Sequence, residues 1–92
     1  MPVTIYLSGH LKAHSGGVTE IAVSGEYATI ADVLDSLWKQ HSALRDRVLN
    51  EQGEIRQHVN IFVGSEDVKR LKGLQTAVKV NEIHIFNAIS GG

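Results

Sequence analysis

Five histidines, ten carboxylate side chains, a cluster of basic residues and a closing pair of glycines are what this chain offers chemically. His10 and His14 stand four positions apart, a spacing that turns two imidazoles toward one metal ion when the backbone is α-helical. They lie in a glycine-bounded stretch with no carboxylate or thiolate beside them, so no metal site is expected. His41 falls at the end of an apolar helical stripe, where a cation suits the helix dipole. His58 and His84 fall on strands with no second group in evident reach for general acid–base work. Asp32 and Asp35 read as a helix cap and an exposed helix position, not as a catalytic pair. Lys69, Arg70, Lys72 and Lys79 form a basic stretch. Its bland reading is a solvated surface; its sharper one is a patch that meets an acidic partner or orients the chain's end.

Gly91-Gly92 is the remaining feature. Terminal residues commonly fray, and a frayed end is the bland account of the pair. Average glycine usage puts Gly-Gly at a chosen site in roughly 0.5% of chains, which favours a use over an accident. Glycine has no Cβ, so it threads a narrow channel and lets another protein's backbone close around it. It also leaves the terminal carboxylate sterically bare. A bare carboxylate on the leash Ala88-Ile89-Ser90-Gly91-Gly92 is a substrate for adenylation in another protein's active site.

Those residues need a frame, and the hydrophobic periods supply one. Val3, Ile5 and Leu7 alternate with Thr4 and Tyr6, the period of a half-buried strand. Gly9 to Gly17 reads as a loop, and Val18 to Ser24 as the returning strand with Ile21 and Val23 inward. The period then changes. Thr29 and, three residues on, Asp32 form a capping-box pattern. Ile30, Val33, Leu34, Leu37 and Trp38 follow as one helical face. A shorter helical piece is expected from Ser42 to Leu49, then a polar loop at residues 50–54. Val59, Ile61 and Val63 alternate with Asn60 and Phe62 in the clearest strand. A turn at Gly64-Ser65, a short strand around Val68, a turn at Gly73-Leu74 and a last strand from Glu82 to Phe86 complete the chain.

One main helix covers only one face of a sheet, so the expected fold is α+β. A β-grasp roll has this order of elements, with the first and last strands parallel neighbours in the middle. If the helix covers the Val3, Ile61 and Ile83 side, the other face carries Tyr6, Phe62, His84 and Phe86. A solvated face normally turns polar residues outward; a cluster of aromatics marks a partner surface. The competing account is that the rings shield one another or lie under a loop.

Composition sets the remaining bounds. The chain has 92 residues, enough for one domain with a modest core. Nine Lys and Arg against ten Asp and Glu leave no basic excess, so no nucleic-acid partner is expected. No apolar run is long enough to span a membrane and no basic-then-apolar leader opens the chain, so a cytoplasmic location is expected. No cysteine is present, which excludes disulfides, thiolate zinc sites, a thiol nucleophile and a persulfide on the chain itself. No phosphate-cradling loop and no G-x-G-x-x-G is present, so no bound nucleotide cofactor is expected.

The run Val59-Asn60-Ile61-Phe62-Val63, then Glu66-Asp67-Val68, Gly73-Leu74, Thr76, Glu82-Ile83 and the ending Ala88-Ile89-Ser90-Gly91-Gly92, resembles the MoaD/ThiS sulfur carriers. Leu11, Gly16-Gly17 and the helical Leu34, Leu37 and Leu44 fit as well. The resemblance covers essentially the whole chain and leans toward the longer CysO-like and MoaD-like members. It implies a ubiquitin-like β-grasp domain over residues 1–87 and a flexible tail over 88–92. It also implies that the chain is not itself an enzyme. A ThiF/MoeB-type activating enzyme, which supplies the ATP and Mg, would take the tail. The Gly92 carboxylate would attack the α-phosphate of ATP, giving an acyl-adenylate and pyrophosphate. A sulfur donor would displace AMP and leave a thiocarboxylate on Gly92, and a sulfur-accepting synthase of the cysteine, molybdopterin or thiazole type would use it. Gly92 is then the covalent site, Ile89, Ser90 and Gly91 its leash, and Tyr6, Phe62, His84 and Phe86 the docking face.

Two departures stand out. Asn87 occupies a place where the family often has proline, and Lys79-Val80-Asn81 replaces a common Asp-Gly-Asp turn. Three other readings compete: a protein modifier that forms isopeptide bonds with lysines, the small subunit of a molybdopterin synthase, and a plain interaction module whose terminal glycines are incidental.

Overall fold

The computed structural model describes residues 2–87. Strand β1 (Pro2–Leu7) buries Val3, Ile5 and Leu7 and turns Thr4 and Tyr6 to the other face, as its two-residue period requires. It pairs antiparallel with β2 (Glu20–Ser24), Ile5 opposite Ile21 and Val3 opposite Val23. The segment between them, expected as a loop, is a 3-10 turn at Gly9–His14. Buried Leu11 anchors this turn, and the hydroxyl of buried Ser15 donates to the carbonyl of Lys12 at 3.1 Å. Strand β2 begins two residues later than its periodicity suggests, and Val18 is exposed.

Helix α1 (Ile30–Gln40) starts where the sequence places it. The Thr29 hydroxyl accepts from the backbone N–H of Asp32 at 3.4 Å. The Asp32 carboxylate in turn accepts from the N–H groups of Ala28 and Thr29, both at 3.1 Å. These contacts satisfy donors that a helix start otherwise leaves free. Ile30, Val33, Leu34 and Leu37 are buried along one stripe, and Trp38 packs partly buried beside them. The second helical piece is shorter and less regular than its Leu44/Val48 spacing suggests: a 3-10 turn at Ser42–Leu44 runs into α2 (Arg45–Val48).

Strand β3 (Val59–Val63) and strand β5 (Glu82–Asn87) pair antiparallel, and β5 lies parallel to β1. The short strand expected around Val68 lies just before it, as β4 (Glu66–Asp67); Val68 itself opens a 3-10 turn over Val68–Arg70. The Asp67 carboxylate explains the shift, because it accepts from the N–H of Lys69 at 2.9 Å and starts the turn there. The sheet order is β2-β1-β5-β3-β4, with the first and last strands as parallel central neighbours. Inward side chains of the sheet and the α1 stripe form one core. The fold is therefore the α+β β-grasp roll. Among the described residues, no helix is long and apolar enough to cross a membrane.

Candidate functional site

The open face of the sheet is built by the same alternation that builds the core. With Ile83 and Ile85 inward, β5 must turn His84 and Phe86 outward; Ile5 and Ile61 do the same for Tyr6 and Phe62. Register brings them together. Tyr6 and Phe62 both sit directly opposite His84, one from each side. Tyr6 stacks on the imidazole with ring centroids 4.9 Å apart and planes 16° apart. Phe62 and Phe86 meet at 5.4 Å and 41°. All four residues are half-buried. The rings thus shelter one another in pairs and still present a continuous aromatic surface on the side away from α1.

Glu82 belongs to this face and escaped the sequence reading. Its carboxylate lies 2.6 Å from Nε2 of His84 on the same strand. The signal is the Glu-x-His spacing, since residues two apart on a strand share a face. Glu20 stands opposite Tyr6 and Asp67 opposite Phe62, so carboxylates flank the aromatic rows on β2, β4 and β5.

The other candidates separate. His10 and His14 lie in a 3-10 turn, where residues four apart point about 120° away from each other, so their spacing no longer aims both rings at one ion. Among the described residues, no cluster of three or more His, Cys, Asp or Glu side chains is placed to hold a metal. His41 is the C-cap of α1, Asp32 is the third helical residue and closes the capping box with the N-cap Thr29, and Asp35 is exposed. Lys69 is engaged structurally: its ammonium donates to the carbonyls of Arg56 at 3.2 Å and Gln57 at 2.9 Å. Ile89, Ser90, Gly91 and Gly92 lie outside the described residues. The structure does show where the chain reaches them. Strand β5 ends at Asn87, opposite Val59, in the middle of the sheet. The side-chain oxygen of Asn87 is buried there with no hydrogen-bond partner among the described residues.

Comparison with known proteins gives this geometry a context. The ThiS family model matches residues 5–92. The sulfur carrier protein CysO of Mycobacterium tuberculosis is 32% identical over 95 residues, spanning all of both chains. The crystal structure of SAMP1 from Haloferax volcanii, a small archaeal modifier protein, superposes with a TM-score of 0.83 at 29% identity over the full length of both chains. The crystal structure of a BexX/CysO complex from Amycolatopsis orientalis has a TM-score of 0.82 at 28% identity, covering 98% of this chain and 99% of that one.

Proposed function

The chain belongs to the ThiS family of small sulfur carrier proteins, and from that premise we propose that its chemistry resides on the carboxylate of Gly92. The observation that carries this reading is the extent of the match. The family model runs through residue 92 and so takes in Gly91 and Gly92, and the likeness to CysO leaves no part of either chain out.

In this reading a partner enzyme of the ThiF/MoeB type brings ATP and Mg, and the carrier brings a face and a tail. A Gly92 carboxylate oxygen attacks the α-phosphorus of ATP, and pyrophosphate leaves. Sulfur from a donor then attacks the acyl carbon, AMP leaves, and a thiocarboxylate remains. Adenylation divides one difficult substitution into two easier ones. The chain contains no cysteine, so the terminal acyl group is the one place on it where transferable sulfur can be held. Tyr6, Phe62, His84 and Phe86 form the surface the partner grips. The A. orientalis complex of a CysO with BexX supports the view that such carriers work against a larger protein.

A second reading has its own support. The likeness to SAMP1 favours a modifier whose activated terminus is attacked by a lysine of another protein. One experiment separates the two. The chain is co-produced with a ThiF/MoeB-type enzyme and a sulfur donor, and its intact mass is recorded. The increment for replacing one oxygen by sulfur is the expected result. Higher-mass conjugates through lysine establish the modifier reading instead. An unchanged mass, beside a control carrier that does react, overturns both.

A further inference from the structure

A groove of about 430 Å3 opens at the end of the sheet where β3 turns into β4 and the chain enters β5. Val63 and Ala77 line it, with Leu71 and Val80 as its apolar walls and Lys72 and Lys79 among its lining residues. The walls are exposed apolar side chains: Leu71 is 47% and Val80 44% accessible. The floor is fixed. The carbonyl of buried Thr76 accepts from the N–H of Ile30, the first residue of α1, at 3.0 Å, and Ala77 bridges to Thr29. The Thr76 hydroxyl accepts from the N–H of Lys72 at 3.1 Å. Val80 lies across the turn at Gly64, which has φ +60°; a Cβ there would come within 3.2 Å of the valine methyl.

The charges around this groove differ from those of the aromatic face. Neither Lys72 nor Lys79 forms an ion pair with a described residue, in contrast to the engaged Lys69. Glu66 is the one carboxylate in the lining. The aromatic face carries Glu20, Asp67 and Glu82. Walls this exposed do not enclose a small ligand, which binding pockets bury almost completely. They suit an apolar side chain projecting from a polypeptide, with acidic neighbours to meet the two lysines.

We infer that this groove is a second docking site, for an acidic polypeptide segment of a partner protein anchored by an apolar side chain. Its position bears on its use. Val63 pairs with Ile83 at the groove end of β5, whereas Val59 pairs with Asn87 at the end from which the chain leaves toward Gly92. Four residue steps along the strand separate the two ends, about 13 Å. A short segment seated in the groove meets the opposite end of β5 from the one that leads toward Gly92, so its binding can be measured apart from the chemistry proposed for the terminus.

The test uses a blocked hexapeptide, Asp-Glu-Leu-Phe-Glu-Asp, and a counterpart with every acidic residue replaced by lysine. Both are titrated into the 15N-labelled full chain and followed through its amide resonances. The acidic peptide shifts the amides of Val63, Leu71, Thr76 and Val80 saturably, and the lysine peptide does not. Lys72→Glu combined with Lys79→Glu weakens binding by roughly tenfold or more, and Leu71→Ser does the same; these positions are exposed, so the fold is retained. Val18→Ser, at an exposed position just before the edge strand β2, leaves the affinity unchanged. The proposal is overturned if the acidic peptide produces no saturable shifts at these amides. It is equally overturned if the shifts fall on Tyr6, Phe62 and Phe86, if both peptides bind alike, or if the charge reversals leave the affinity unchanged.

Discussion

An outward phenylalanine on a sheet strand covers its neighbours and still meets solvent, so its worth divides between stability and recognition. Phe62 and Phe86 are half-buried and touch each other at 5.4 Å. Such a ring pair is worth about 0.5–1.5 kcal/mol beyond the area it buries. An aromatic anchor at the centre of an interface commonly costs 2 kcal/mol or more when truncated. The two effects are therefore separable at these positions. Phe62→Ala and Phe86→Ala are each expected to weaken association with the activating enzyme by roughly tenfold or more, measured by titration calorimetry. Each variant should still unfold cooperatively in urea, with a loss of about 2 kcal/mol from the ring contact and the buried area together. Unchanged affinity with the fold intact would remove these residues from the docking face. His84 stands at the centre of the same surface, between Tyr6 and Phe62, with Glu82 at 2.6 Å. It thereby places an imidazole between the phenol of Tyr6 and the apolar ring of Phe62.

At the scale of the element, the start of α1 concentrates several contacts on one side chain. Asp32 accepts from two backbone N–H groups, and its own N–H donates to Thr29. Asp32→Ala removes the oxygen that accepts both bonds at an exposed helix start and is expected to cost about 1 kcal/mol, read as a lower urea midpoint at unchanged m-value. A midpoint equal to that of the unsubstituted chain would show that water replaces the carboxylate without loss. This helix and the long strands were legible in the sequence because each repeats a burial period several times: Ile30 to Leu37 at the helical period, and Val3 to Leu7, Val59 to Val63 and Glu82 to Phe86 at two. The opposed aromatic rows were legible for the same reason. What lay beyond reading were elements too short to repeat anything. The 3-10 turn at Gly9–His14 is set by Leu11 and Ser15 rather than by a pattern, and β4 gives way to a turn because one Asp67 carboxylate captures one N–H. The groove was legible only in its charge: Lys72 and Lys79 belong to the basic stretch, whereas the apolar walls come from residues 63–66 and 71–80, a path that repeats no period.

Across the whole molecule, the formal charge of −1 conceals an uneven distribution, with carboxylates about the aromatic face and lysines about the groove. The topology adds a separation between folding and chemistry. Because the first and last strands are central neighbours, β5 is held on both sides before the chain reaches Asn87. Among the described residues, the buried apolar side chains run from Val3 to Ile85, and Ile83 and Ile85 of β5 already pack in the core. Deleting Gly91 and Gly92 is expected to leave the thermal midpoint within about 2 °C, because a change of a few tenths of a kcal/mol moves a domain of this size little further. The same deletion should abolish the oxygen-to-sulfur mass increment. Calorimetry and intact-mass measurement on one sample read both quantities. A midpoint lowered by several degrees would mean that the last residues contribute to the fold, and a mass increment that persists would place the acyl chemistry elsewhere. A carrier of this construction can spend its terminus on a reaction and keep its core unchanged. Under the proposed function, that separation is what lets different proteins grip, charge and discharge one small domain without unfolding it.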